Sequence, residues 1–239
     1  MRDSSRISKE STIGFAFHYP KFFTIAVVGI ILCLSISANA VDVGGLISEN
    51  TTWAVADSPF NLTQSLMVKE GSTLTIEAGS VINISPECGF LINGEIIARG
   101  TEGKPIIFQP VTGTEPGSWR AINFGDTSTD AVFDDKEKYI SGSILEFCTI
   151  KNGGGSGAEG QIVISQSTPL IQSCKILDGT TGIHTTYEDR WGVTEHLRLL
   201  NNTVSRNNGY GIWTRTYYSA ITIEDYRSYQ KSRVVSHYK

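Results

Sequence analysis

"NNTVSRNNGYGIW" occupies Asn201–Trp213 and sets asparagine-glycine pairs between single apolar residues. Asn-Gly supplies the positive φ angles of a type I′ turn, so an antiparallel hairpin is the first reading. Two upstream stretches change it. "EFCTIKNG" from Glu146 and "QSCKILDG" from Gln172 align beneath the first, bringing Cys148, Cys174 and Asn202 to one position and Ile150, Ile176 and Val204 to another. Each unit runs from small or polar residues through Ile or Val to a polar stretch that ends in Asn or Asp with Gly. Two units continue to a further match, Gly182-Ile183 and Gly211-Ile212. A repeat in the twenties is one turn of a solenoid, and each turn can bury its apolar face only against its neighbours.

The upstream half has the same texture. "STLTIEAGSVINIS", "GFLINGEIIARGT", "KPIIFQP" and "WRAINF" are short alternating runs of β-branched and aromatic residues closed by Gly, Pro or Asn. No sustained helical period occurs beyond the N-terminal segment. The fold class is therefore all-β, a right-handed parallel β-helix over residues 41–222. In such a coil, Ile150, Ile176 and Val204 stack inward, with Cys148 and Cys174 beside them as small buried hydrophobes. Asn152, Asp178 and Asn207 fall at corners, where Asn and Asp tolerate the left-handed conformation. The Asn-Gly pairs then read as corners of coils rather than hairpin turns.

"TLTIEAGSVINI" and "GFLINGEIIARGTEGKPIIF" resemble the opening of exported β-helix proteins of the pectin-lyase-like superfamily. "NNTVSRNNGYGIW" is similar to their carbohydrate-binding and sugar-hydrolase repeats, seen also in periplasmic copper-maturation β-helices. The resemblance covers about residues 44–215 and implies the fold; the scaffold hosts lyases, hydrolases, epimerases, adhesins and surface-layer components. The hydrolase and epimerase motifs of these relatives are absent, apart from the pair Asp134-Asp135, and no lyase constellation can be assigned by spacing.

Residues 1–40 read as a signal peptide or membrane anchor. Arg2, Arg6, Lys9 and Lys21 precede an apolar run from Phe22 to Ile36, and Ala38-Asn39-Ala40 supplies small residues at a cleavage spacing. Both readings export the rest, to the periplasm, the cell surface or the medium. Taking the four basic and two acidic residues of this segment from totals of 20 and 24 leaves a net charge of about −6. That balance argues against nucleic acid, and against membrane contact other than through the N-terminal segment. Leu32 before Cys33 does not suit a lipoprotein signal. Cys88, Cys148 and Cys174 remain, an odd number that argues against a disulfide framework. The sequons at Asn50, Asn61, Asn83 and Asn201 read as turn asparagines.

Three groups of residues are candidates for a site. "GIWTRTYYS" alternates so that Trp213, Arg215 and Tyr217 share the outward face. Trp191 and Tyr210 lie within one repeat of them, and together the five suit the stacking of an extracellular glycan or cell-wall polymer. "GDTSTDAVFDDKEK" offers Asp126, Asp130, Asp134 and Asp135 as oxygen ligands for Ca²⁺, although Lys136 and Lys138 interrupt them and a solvated loop inserted between two turns accounts for the same residues. His184 and His196 read as turn or surface histidines. The expectation is a structural or glycan-binding module without its own catalysis. The competing class is a polysaccharide lyase or hydrolase using the acidic loop with Arg120 or Arg215. The tail, residues 223–239, loses the period.

Overall fold

A computed structural model describes residues 40–186, 197–215 and 221–224. The N-terminal signal or anchor segment, Trp191, His196, Tyr217 and the tail beyond Glu224 lie outside the described residues. Ile223 and Glu224 are the last two residues of the final strand, Ile221–Glu224.

Strands of two to nine residues succeed one another from Val41 to Glu224; among the described residues the named strands pair in parallel except for one inserted hairpin. Each coil contributes strands to three ladders of parallel pairs, here called the first, second and third sheets. The first and second are continuous at the start, because Phe60–Val68 pairs through Phe60–Leu62 with the first and through Leu66–Val68 with the second. Seven coils are present among the described residues.

Parallel register places equivalent residues of successive coils opposite each other, and side chains alternate in and out along each strand. In the first sheet the inward column runs Phe60, Ile82, Phe108, Ile150, Ile176 and Val204. The expected stack of Ile150, Ile176 and Val204 is part of it. The second sheet contributes Leu66, Phe90, Ile122, Ile162, Ile183 and Ile212. The third contributes Ile76, Ala98, Leu145, Ile171 and Leu199. These columns meet in one continuous core. Trp53 begins it, stacked on Phe60 with ring centroids 4.9 Å apart.

The cysteine position of the repeat does more than fill space. Asn202 Oδ1 accepts from the backbone N–H of Cys174 (2.9 Å), and its Nδ2 donates to Ile171 O (2.8 Å). One coil earlier, Cys174 Sγ accepts from the N–H of Cys148 (3.4 Å) and donates to Leu145 O (3.3 Å). Thiol and amide therefore perform the same task, tying the corner of the preceding coil. Both thiols are free, and burial beside Cys174 pushes the Cys148 thiol well above its usual range.

Each of the last three described coils turns into and out of the first sheet through a residue in the left-handed region. Phe147, Ser173 and Asn201 enter, with φ of 48°, 53° and 56°; Asn152, Asp178 and Arg206 leave, with φ of 63°, 57° and 58°. Asn152 and Asp178 are as expected. Asn207 is not the third member: Arg206 takes the left-handed conformation, although a β-carbon makes it unfavourable by roughly 1–2 kcal/mol. Arg206 binds Asp178 of the coil before with two contacts of 2.6 Å. Asn207 is thereby turned toward the corner interior, where its Oδ1 accepts from Gly179 N and Gln161 Nε2, both at 2.9 Å. Gly179 must be glycine here, since a Cβ would lie 2.2 Å from the Gln161 side chain.

Two of the sequons belong to a polar ladder on the outer face of the first sheet. Gln109 Nε2 donates to Asn83 Oδ1, Asn83 to Asn61 and Asn61 to Asp42, at 3.0, 3.2 and 3.3 Å. Asn50 Oδ1 accepts from Thr73 N.

The acidic insertion is exposed over most of its length, as a solvated segment is, but it forms a hairpin rather than an irregular loop. Val132–Phe133 and Tyr139–Ser141 form an antiparallel hairpin between a second-sheet strand and the third-sheet strand of the same coil. The Arg198 guanidinium lies 3.9 Å from the centre of the Phe133 ring, and that of Arg99 lies 5.4 Å from the Tyr139 ring. Gly142 N donates to Glu95 Oε1 at 3.0 Å. The hairpin thus straps the outer face of the third sheet, where Ile144 and Leu170 are buried although they point away from the core.

The inward column makes a direct prediction. Ile176→Ala should lower stability by about 2–5 kcal/mol, and Ile176→Asp, which buries an unpaired charge, should abolish the cooperative melt. An aspartate variant that melts with the parent would refute the register. A second prediction concerns the thiols: Cys148 and Cys174 should resist iodoacetamide in the native protein and both become alkylated in denaturant without reductant, as read by mass spectrometry.

Candidate ligand-binding face

The outward column of the second sheet draws one side chain from each coil: Leu46, Met67, Leu91, Asn123, Val163, His184 and Trp213. Its first positions are apolar and exposed, Leu46 by 60% and Met67 by 39%. Strands such as Phe90–Ile92 are therefore apolar on both faces, a composition expected where both faces are covered. Here the outer side opens into a groove of about 760 Å³ lined by residues of five successive coils.

One wall comes from the glycine-rich loop "GGGSGAEG", Gly153–Gly160. The loop wraps Trp119, which is fully buried and donates from its indole N–H to Lys151 O at 2.8 Å. Gly153 permits this approach, because a Cβ there would come within 2.7 Å of the indole ring. Gly157, Ala158 and Glu159 reach the groove, opposite a floor of Leu46, Met67 and Leu91. Arg120 also lines it, on the segment leading into Ile122–Phe124, with its side chain exposed.

His184 corrects the reading of it as a turn or surface residue. It lies in the strand Ile183–Thr186 with its side chain only 5% exposed, against Trp213 at a ring-centroid distance of 4.2 Å. Glu159 Oε2 lies 2.7 Å from His184 Nδ1 but off the direction of a ring N–H, so neither ring nitrogen makes a directed hydrogen bond. Burial lowers the pKa of the imidazole below its ordinary 6.5, and the Glu159 carboxylate opposes this more weakly.

The remaining candidates divide. Trp213 and Arg215 share the strand Ile212–Arg215; Trp213 is half-buried, and Tyr210, at the preceding corner, is 39% exposed. Trp191 and Tyr217 lie outside the described residues. The four aspartates are on the other side of the coil, in and around the strap. Asp130 Oδ1 accepts from Thr168 N, and Asp134 Oδ1 accepts from the N–H groups of Lys136 and Lys138 at 2.9 and 2.8 Å. Asp126 and Asp135 flank them in the sequence. Among the described residues, no three His, Cys, Asp or Glu side chains converge to hold a metal ion.

Parallel ladders stacked coil on coil, each with an inward apolar column, define a right-handed parallel β-helix protein. Residues 133–229 match the family described as a right handed beta helix region. No curated protein and no solved structure matches the chain.

The His184 environment yields a pH prediction. The unfolded imidazole binds its proton near 6.5 and the folded one only at lower pH, so this group contributes stability above 6.5 that is lost as pH falls through the folded value. The melting temperature should therefore drop on acidification from 7.5 to 5, and His184→Gln should flatten that slope. An unchanged slope would show that His184 does not titrate against folding.

Proposed function

We propose that the chain beyond residue 40 is an exported β-helix module that binds glycan without cleaving it, and that the outward face of the second sheet at Trp213 is its contact surface. The observation that supports this reading is the position of Trp213 itself: an outward aromatic, partly exposed, braced from one side by His184. A held indole presents an apolar ring face beside polar groups, which is what a sugar ring needs for stacking. Tyr210 lies at the corner before this strand and Arg215 ends it; Trp191 and Tyr217 are assigned to the same partner by the sequence pattern alone, and that partner is an extracellular glycan or cell-wall polymer. Export rests on the N-terminal segment, and the resemblance to exported pectin-lyase-like β-helices agrees with it.

The absence of catalysis is also part of the proposal. Hydrolysis of a glycosidic bond needs an acid and a base across one substrate. Asp134 and Asp135 belong to the strap on the third sheet, whereas Arg120 opens into the groove on the second and Arg215 ends a second-sheet strand, which speaks against the lyase or hydrolase reading. In this reading the binding face does not require Ca²⁺.

Glycan-array binding by the full chain should fall about tenfold or more on Trp213→Ala, as for other aromatic anchors, and stay unchanged on Asp135→Ala or with chelator. Release of reducing or unsaturated sugar ends that disappears with Asp135→Ala would replace this reading with the enzymatic one.

A further inference from the structure

We propose that the groove over the early coils of the second sheet binds one anionic amphiphile with a long acyl chain, its tail along Leu46, Met67 and Leu91 and its carboxylate at Arg120. This site is separate from the Trp213 surface and does not depend on the glycan reading.

The shape sets the first condition. The groove holds about 760 Å³, within the roughly 300–1,000 Å³ of small-molecule sites. Its lining comes from five coils, about 19 Å at the spacing of neighbouring strands, with the apolar floor of Leu46, Met67 and Leu91 in the first three and the polar Asn123 and Ser165 in the next two. A ligand that fills it is long, narrow and aligned with the solenoid axis. The groove is concave, with the Gly157–Glu159 segment as one wall, which suits a detached amphiphile better than a flat bilayer surface.

The floor sets the second condition. A chain running along the axis crosses the strands at right angles and meets their side chains alone, because the strand N–H and C=O groups are consumed in coil-to-coil pairing. A peptide laid over the first three coils would hold most of its amides over leucine and methionine, where Ser65 is the polar side chain in the lining. A glycan would do the same with its hydroxyls. A polymethylene tail brings no polar group, and it covers the exposed sides of Leu46 and Met67, which otherwise stand in water.

Charge sets the third condition. Arg120 is exposed at the groove and has no carboxylate partner among the described residues. The other charged group in the lining, Glu159, is turned to His184. The groove thus holds one cation at Arg120 and one anion at Glu159, and the unpaired Arg120 guanidinium beside the apolar floor matches an anionic head joined to an apolar tail.

The test uses the full chain and a dansyl-labelled undecanoate, read by its fluorescence on binding and by its displacement with palmitate. Saturable binding is expected. Met67→Glu and Leu91→Asp should each abolish it with the melting temperature kept, since both side chains point away from the core. Arg120→Glu should weaken it about tenfold or more, leave the corresponding neutral alcohol unaffected, and not alter glycan binding at Trp213. Absence of binding by the folded chain overturns the proposal, as does full binding in Met67→Glu. Displacement by an apolar peptide or an oligosaccharide but not by palmitate reassigns the groove to that ligand. Association only with vesicles of anionic lipid would identify a membrane surface instead.

Discussion

Backbone pairing between successive coils is the constraint on which everything else in this molecule depends. Once a strand of one coil pairs in parallel with its equivalent in the next, a residue has no freedom about what lies above and below it. Ile176 must sit between Ile150 and Val204. Apolar side chains then accumulate in columns, and the columns exclude water together although no single coil could do so. The pairing also explains where length can vary. Phe90 and Ile122 stack directly while the chain between them completes a coil and a long corner, and the strap enters between a second-sheet and a third-sheet strand that each stay paired with the neighbouring coils.

Corners carry the strain of this arrangement and are held by contacts to the neighbouring coil. Phe147 and Arg206 adopt left-handed backbone although neither is glycine. Their coils keep them there through the ladder, as when Phe147 N donates to Gln172 O. Side chains supplement this where the backbone leaves a donor or acceptor uncovered. Cys174 and Asn202 solve that problem with different chemistry in one place, which is why a thiol and an amide align in the repeat.

The outer faces were treated differently by the chain, and the difference directs function. The third sheet hides Ile144 and Leu170 beneath an acidic hairpin gripped by Arg99 and Arg198. The second sheet is covered only in part, by a glycine-rich loop at Val163 and His184, and leaves its earlier coils open. Leu46, Met67 and Leu91 stand on that face without a covering element among the described residues.

The strands, the inward column at Ile150, Ile176 and Val204, and the corners at Asn152 and Asp178 could be read from sequence because each is a local pattern repeated at nearly constant spacing. The outward column could not. Leu46, Met67 and Leu91 come from different coils and look, each alone, like the middle of an ordinary apolar strand; the all-apolar triplets were the one available signal. The left-handed residue at Arg206 rather than Asn207 is likewise set by register, because the ladder, and not local preference, decides which residue turns. The burial of His184 and the strap over the third sheet depend on how a loop and an insertion fold across neighbouring coils. Local alternation and punctuation thus determined the solenoid and its interior, while contacts between residues far apart in the chain decided which outer surface stays open, since only stacking brings those residues onto one face.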